Sequence, residues 1–360
     1  MGSNDSYGGS SRSYQRYESL RSDKPEDRTK GWADHKEVVR EAVRKIDRGE
    51  IAAPVQRDVA AVYEPSLAKN SISRPSPSAR RAMVVLVDNS GSNEVIAKKL
   101  RDSSGYLTAF MRTVDPLAEV AFIYFSDHED RGPRGESTML QYTDFIPPTE
   151  TGDKILLASL KNVLAAHGDD EPEAIECALS NAAEIDFAHI PKANRTIVLV
   201  SDSVAHGMGF PDDAGCPHQK SWRAAMAEVR ETYGNFVMIG SGSNRMMRKY
   251  QQKFFEPTTD VLDEADMALN FIDFSDIKSA AHRNGLVGNT ILFCMARNAG
   301  KQAVQIFLAG LYAKWLANPI FGQNTPAFAK DRIGAMARMY LGNVMPKSEV
   351  ETLLSDIFAE

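Results

Sequence analysis

The chain has 360 residues, of which 43% are hydrophobic and 25% are charged, and its formal net charge is −6. These fractions are ordinary for a soluble globular protein, and the acidic balance argues against nucleic-acid binding as the main function. Three widely spaced cysteines, Cys177, Cys216 and Cys294, argue against a disulfide framework and fit a reducing, cytoplasmic location. The N-terminus lacks an apolar signal segment, and charged residues interrupt the most apolar stretch (290–321), so we expect no signal peptide and no membrane span.

The first 80 residues differ in composition from the rest of the chain. Residues 1–33 are rich in Ser, Gly, Arg and Tyr and poor in aliphatic residues, which predicts a disordered or partner-bound tail. Residues 34–80 are predicted to form a short amphipathic helix, ending near Arg48, followed by an extended, proline-containing arm.

Between residues 81 and 283 short apolar runs alternate with segments of helical periodicity. The predicted strands are 82–88, 120–125, 139–145, 196–200 and 236–239, with a short one near Val261. The predicted helices are 94–114, 154–166, 171–184, 221–233, 244–255 and 264–280. Strands that alternate with helices imply right-handed crossovers, so we predict an α/β domain with a doubly wound, mostly parallel sheet.

The last part of the chain, residues 284–360, is predicted to be helical. Glycines and prolines divide it into helices at 290–317, 327–341 and 347–358. Two interpretations stay open for this region. It is either an appendage folded back on the sheet domain or an element for oligomerisation or partner docking.

The segment Asp88-Asn89-Ser90-Gly91-Ser92 directly follows the first apolar run. One carboxylate and two hydroxyls at alternate positions would emerge at the carboxyl end of a buried strand, where open α/β sheets bind ligands. These hard oxygen ligands suit Mg²⁺, Mn²⁺ or Ca²⁺. The same residue types also form turns, so the segment alone fits a strand-to-loop turn equally well.

Two later segments carry further acidic residues. Together with the segment 88–92, they resemble the pattern of a known family. The chain reads Gly168-Asp169-Asp170-Glu171-Pro172-Glu173-Ala174 in the middle, and Asp202 follows the apolar run 196–201. This pattern resembles the von Willebrand factor A (vWA) domain with a metal-ion-dependent adhesion site, in the subset found with alpha-type kinases. The resemblance covers about residues 80–280. It makes Asp170 the matching acid of the middle segment, although the sequence does not fully distinguish Asp170 from Asp169.

The resemblance implies a site for Mg²⁺, with Mn²⁺ or Ca²⁺ as alternatives. Its ligands, direct or through water, would be Asp88, Ser90, Ser92, Asp170 and Asp202. One open coordination position would then take an acidic side chain from a protein partner or from another copy of the chain. The predicted function is a non-enzymatic, metal-dependent protein-interaction module within a homo-oligomer or larger assembly.

Two other non-catalytic functions stay open. The chain could be a self-assembling scaffold that uses the arm and the C-terminal helices, or an accessory subunit of a separate ATPase or kinase. A hydrolase of the haloacid-dehalogenase kind would need a second acid two residues after Asp88, where the chain has Ser90. No Gly-x-Ser-x-Gly segment is present either, so we predict no catalysis.

Residue types that can bind zinc cluster in the segment after Asp202. They are His206, Asp212, Cys216 and His218. Their spacing matches no tight structural zinc pattern, so we predict a surface loop that shapes partner specificity.

Overall fold

The structure is a computed structural model that describes part of the chain. The described residues are 40–50, 79–91, 93, 100, 110–111, 115–130, 139–143, 145–146, 149–161, 163, 171–187, 190–211, 213–240, 245–255, 268–273, 280–317, 326–341 and 345–358. The predicted tail, most of the predicted arm and most of the predicted helix at 94–114 lie outside these residues.

The described strands form one large sheet and one small ladder. They are β1 (Arg81–Asp88), β2 (Ala118–Phe125), β3 (Leu140–Tyr142), β4 (Pro172–Glu173), β5 (Arg195–Ser201), β6 (Val204–Ala205), β7 (Asn235–Gly240) and β8 (Ala268–Asp273). The large sheet has the order β3-β2-β1-β5-β7-β8, and β4 pairs with β6. Among the described strands of the large sheet, only β3 runs antiparallel to its neighbour. The prediction of an α/β fold with a mostly parallel central sheet is therefore confirmed.

The central strand β1 is apolar along its whole length because both faces of the sheet are covered. Val84 and Leu86 belong to one buried cluster, whereas Val85 and Val87 belong to a second cluster on the other face. Both neighbours of β1 are parallel to it, with Leu86 opposite Ile123 of β2 and Leu199 of β5. A continuous apolar run is the pattern expected for a strand in this position.

The helices in the described part of the chain are numbered in chain order. They are α1 (40–47), α2 (Glu150–Lys161), α3 (Ile175–Ala183), α4 (Trp222–Thr232), α5 (Arg245–Gln251), α6 (Ala280–Ala299), α7 (Lys301–Ala317), α8 (Pro326–Leu341) and α9 (Lys347–Phe358). Helices α3 and α4 pack on the face that carries Val84 and Leu86. Helices α6 to α9 share the cluster of Val85 and Val87. None of the described helices combines the length and apolar character that a membrane span requires.

The C-terminal helices occur where the sequence predicts them, with one correction. Helices α8 and α9 match the predictions at 327–341 and 347–358. The predicted helix at 290–317 is instead two helices, because Gly300 adopts a φ of 110° and ends α6. The predicted domain boundary between residues 283 and 284 falls inside α6, and the proposed boundaries stay predictions.

Two further elements differ from the prediction. The segment predicted as helix 264–280 contains β8, which pairs in parallel with β7 along all six of its residues. Pairing with the edge of an existing sheet outweighs the weak helical preference of this segment. The predicted helix at 171–184 begins only at Ile175, because Pro172 and Glu173 form β4.

Gly234, between α4 and β7, has no room for a side chain. An ideal Cβ there would lie 2.7 Å from the Lys192 carbonyl oxygen and 2.8 Å from the Ala193 Cα. We expect Gly234→Ala to lower the free energy of unfolding by about 1 to 3 kcal/mol, because backbone atoms must shift. Urea denaturation followed by circular dichroism measures this. Gly288→Ala is the matched control, since a Cβ there meets nothing within 4 Å, and equal losses in both variants would contradict the explanation.

Candidate metal sites at the carboxyl edge of the sheet

Asp88 is the last residue of β1 and is fully buried. Its Oδ1 accepts hydrogen bonds from the Ser90 backbone N–H at 3.0 Å and from the Ser90 hydroxyl at 2.6 Å. Its Oδ2 accepts a hydrogen bond from the hydroxyl of Ser201, the last residue of β5, at 2.7 Å. The parallel register between β1 and β5 therefore holds one carboxylate between the Ser90 hydroxyl of the loop after β1 and the Ser201 hydroxyl at the end of β5.

Asp202, one residue beyond β5, raises the pKa of the same carboxylate through its charge. Burial raises the pKa of Asp88 to about 7, and the nearby charge of Asp202 adds to the rise, although the Ser90 and Ser201 hydrogen bonds oppose it. Three of the five predicted metal ligands, Asp88, Ser90 and Asp202, are thus at one edge of the sheet. The other two, Ser92 and Asp170, lie outside the described residues.

Glu173 is a further buried acid at this edge, and sequence reasoning did not select it as a ligand. It belongs to β4, whose pairing with β6 places it opposite Ala205. Burial raises its pKa well above the usual value, and the charges of Asp88, Asp130 and Asp127 raise it further. Its Oε2 has no hydrogen-bond partner among the described residues. The only sequence signal was its place in the Asp-Glu-Pro-Glu-Ala segment.

This concentration of carboxylates fits a hard divalent cation. Buried acids that raise one another's pKa must either hold protons or share a positive charge. Carboxylate and hydroxyl oxygens are the ligands that Mg²⁺, Mn²⁺ and Ca²⁺ prefer. The occupation of this edge by Mg²⁺ or a related ion stays a prediction.

A second cluster lies close by and has different chemistry. It consists of His128, Cys177, Cys216 and His218, whose nearest nitrogen and sulfur atoms all lie within 4.8 Å of one another. The sequence-based candidates included only Cys216 and His218 of these four. His128 follows β2 and Cys177 lies in the first turn of α3, so only the folded chain brings them to the other two. Asp212 lies outside the described residues, and His206 belongs to a neighbouring network.

That network joins two histidines through carboxylates. The Asp127 Oδ1 lies 2.7 Å from Nε2 of His206 and 3.2 Å from Nδ1 of His128. The other His206 ring nitrogen lies 3.0 Å from Oδ1 of Asp213. Burial alone would lower the pKa of His206, but Asp127, Glu176 and Asp213 outweigh it and raise the pKa to about 9. His206 is therefore positively charged at neutral pH and links the two carboxylates.

Glu176 connects this network to the cysteine and histidine cluster. Its Oε2 accepts a hydrogen bond from the His206 backbone N–H at 3.1 Å, and its Oε1 lies 3.4 Å from Nε2 of His128. Burial raises its pKa to about 8, and the charge of Cys216 adds to the rise. The carboxyl edge of the sheet thus carries an oxygen-rich region around Asp88 and a sulfur- and nitrogen-rich region around Cys177.

Comparisons with known proteins give no family for this chain. No protein-family model matches it, and no curated protein matches it. Among solved structures it is similar to the pilus adhesin SpaC from Lactobacillus rhamnosus GG, with 13% identity and a TM-score of 0.42, over 62% of this chain and 32% of the adhesin chain. It is also similar to the PilB minor pilin from Streptococcus sanguinis, with 14% identity and a TM-score of 0.36, over 61% of this chain and 63% of the pilin chain. The chain thus spans less than two thirds of either protein, and likenesses at these TM-scores carry no functional argument.

Proposed function

We propose that this chain is a non-enzymatic protein-interaction module whose binding depends on a divalent cation, Mg²⁺ or one of its relatives. The observation that carries the proposal is the fully buried Asp88 carboxylate, held by the Ser90 and Ser201 hydroxyls with the Asp202 charge beside it. The proposed ligands are Asp88, Ser90, Ser92, Asp170 and Asp202, as the resemblance to vWA domains implies.

The order of the strands supports a ligand site at this position. From β1 the chain continues to β2 on one side, whereas β5, β7 and β8 follow on the other side. The strand order therefore changes direction between β1 and β5. Open α/β sheets bind ligands in the crevice at such a change of strand order. Asp88 and Ser201 end these two strands. We propose on this basis that the sheet is doubly wound in the vWA manner.

The side chains at this edge would divide the work of holding the ion. Asp88 and Asp202 would supply the negative charge, and the Ser90 hydroxyl, which donates its proton to Asp88, would supply a neutral oxygen. Glu173 offers a buried carboxylate oxygen close to Asp88. When bound, the cation supplies an electrophilic position that a carboxylate from a partner can occupy.

The metal site is tested directly by calorimetric titration with Mn²⁺. We expect Asp88→Ala to weaken Mn²⁺ binding at least about 100-fold, because a charged ligand is lost from the centre of the site. Asp356→Ala is the matched control, since Asp356 is an exposed acid on α9. Circular dichroism confirms that each variant is folded. Equal Mn²⁺ affinity in wild type and Asp88→Ala would refute the proposed site.

The open coordination position requires a second arm of the same experiment. Protein-bound Mn²⁺ with an exchangeable water enhances the relaxation of water protons. We expect glutarate, a probe for an acidic side chain, to lower this enhancement by displacing the water. An enhancement unaffected by saturating glutarate would refute the capture of an acidic group, even if Mn²⁺ binds.

The remaining functional hypotheses stay predictions. Self-assembly through the arm and the C-terminal helices, and service as an accessory subunit of an ATPase or kinase, require experiments on the whole assembly. Light scattering with and without residues 1–80 distinguishes self-assembly from a monomeric interaction module. The absence of catalysis and the cytoplasmic location likewise stay predictions.

A further inference from the structure

We propose that His128, Cys177, Cys216 and His218 form a structural zinc site. The site differs from the proposed Mg²⁺ site in its residues and in its donor atoms. It uses Nε2 of His128, Nδ1 of His218 and the two sulfur atoms, all at the carboxyl edge of the sheet.

Four of the six distances between the donor atoms match the edges of a zinc tetrahedron. With Zn–S bonds of about 2.3 Å and Zn–N bonds of about 2.0 Å, a regular tetrahedron has S–S edges of about 3.8 Å and S–N edges of about 3.5 Å. The two sulfur atoms are 3.7 Å apart. The Cys177 sulfur lies 3.4 Å from Nε2 of His128 and 3.5 Å from Nδ1 of His218, and the Cys216 sulfur lies 3.5 Å from Nε2 of His128.

A metal accounts for this convergence better than hydrogen bonding among thiols and imidazoles. Hydrogen bonds satisfy the partners in pairs and do not require each sulfur to meet the same nitrogen at the same distance. Here the Nε2 of His128 contacts both sulfurs, and the Cys177 sulfur contacts both nitrogens. One central cation satisfies all four donors together.

The ligand set and its surroundings favour zinc in a closed, structural role. Two thiolates neutralise the charge of Zn²⁺, and two imidazoles complete four-fold coordination without a position for substrate. His128 and Cys177 are buried, and Cys216 and His218 are half-buried. The Nδ1 of His128 lies 3.2 Å from the Asp127 carboxylate, the outer contact that orients a zinc-bound histidine through its second nitrogen.

The site would fasten a loop to the body of the domain. His128 follows β2, Cys177 is in the first turn of α3, and Cys216 and His218 precede α4. The loop of residues 206–220 contains no helix or strand within its described residues. Zinc would therefore hold this loop in place beside Asp202 and so fix the shape of the surface next to the Mg²⁺ site.

The first experiment measures metal content and coordination. The full chain is produced with added zinc, purified under reducing conditions without chelators, and measured by elemental analysis. We expect about one zinc per chain. After exchange with Co²⁺ we expect the intense visible bands of tetrahedral cobalt and a thiolate-to-cobalt charge-transfer band. Protein without zinc, whose apo form binds Co²⁺ without these bands, would overturn the proposal.

Single substitutions then assign the ligands. We expect Cys216→Ser and His218→Ala each to weaken Co²⁺ binding at least about 100-fold, with loss or change of the tetrahedral spectrum. Cys294→Ala is the matched control, because Cys294 is a buried thiol of α6 outside the cluster, and it should keep the wild-type spectrum. Wild-type cobalt binding in either ligand variant would remove that residue from the site and overturn the four-ligand assignment.

Asp127→Asn tests the outer contact without removing a ligand. We expect the same tetrahedral cobalt spectrum with affinity lower by about 10- to 100-fold, because the ring of His128 loses its carboxylate partner. Unchanged affinity would show that Asp127 does not position His128. Asp88→Ala should keep its zinc, so failure of the zinc site and failure of the Mg²⁺ site are separate results.

Discussion

Phe307→Ala is expected to lower the free energy of unfolding by about 3 to 5 kcal/mol, the usual cost of emptying a large aromatic site in a core. The Phe307 side chain, on α7, is only 1% exposed. Its ring makes edge-to-face contacts with Phe110 and Phe293, each with centroids 5.9 Å apart. The same buried cluster includes Val85 and Val87 of the central strand, so the C-terminal helices and the sheet share one core.

Urea denaturation followed by both fluorescence and circular dichroism measures this loss. Leu117→Ala is the matched control, because the Leu117 side chain is 41% exposed and its truncation should cost less than about 0.5 kcal/mol. A single transition that shifts to lower urea supports a shared core. A separate early transition for the helices, with the transition of the sheet unmoved, would show that they are an independent appendage.

The parts of the fold that could be predicted are those in which local pattern and tertiary position agree. The run of apolar residues in β1 predicts a strand covered on both faces, and the structure confirms this. Helix α9 is found with the predicted ends because Pro346 precedes it and its apolar residues repeat on one face. The segment at β8 was predicted wrongly because its state depends on the edge of β7, which is remote in the sequence.

The residues of the candidate sites also differ in how far the sequence alone could predict them. Asp88, Ser90 and Asp202 could be placed together because each lies at the end of a parallel strand or just beyond it, and such strands end at a common edge. Glu173 could not be selected, since its burial depends on the two-residue ladder with Ala205. The proposed zinc ligands required the convergence of three segments, and the spacing of Cys216 and His218 gave no indication of His128 or Cys177.

Asp88→Asn is expected to stabilise the protein at high pH when Mg²⁺ is absent, although it removes a proposed metal ligand. Burial and the charge of Asp202 raise the pKa of Asp88 to about 7, whereas an unfolded aspartate titrates near pH 4. Between these values the folded state binds the extra proton, so stability falls as the pH rises through this window. The shift corresponds to about 4 kcal/mol, which the wild type loses between about pH 4 and pH 8 and the asparagine variant does not.

Chemical denaturation of wild type and Asp88→Asn at a series of pH values tests this, in buffers that contain no divalent cation except zinc for the proposed zinc site. Glu176 is present in both proteins, so its titration largely cancels in the comparison. Glu173 loses the charge of Asp88 in the variant, which lowers its pKa and adds to the expected gain of the variant at high pH. We expect the free energy of unfolding of the variant to exceed that of the wild type by a margin that grows as the pH rises. At pH 8 we expect saturating Mg²⁺ to raise the free energy of unfolding of the wild type but not that of the variant. A Mg²⁺ concentration of 100 times the dissociation constant should raise the free energy of unfolding of the wild type by about 2.7 kcal/mol. Equal pH dependence in the two proteins would mean that Asp88 is not the acid with the raised pKa. Equal stabilisation of both proteins by Mg²⁺ would mean that Asp88 is not a ligand.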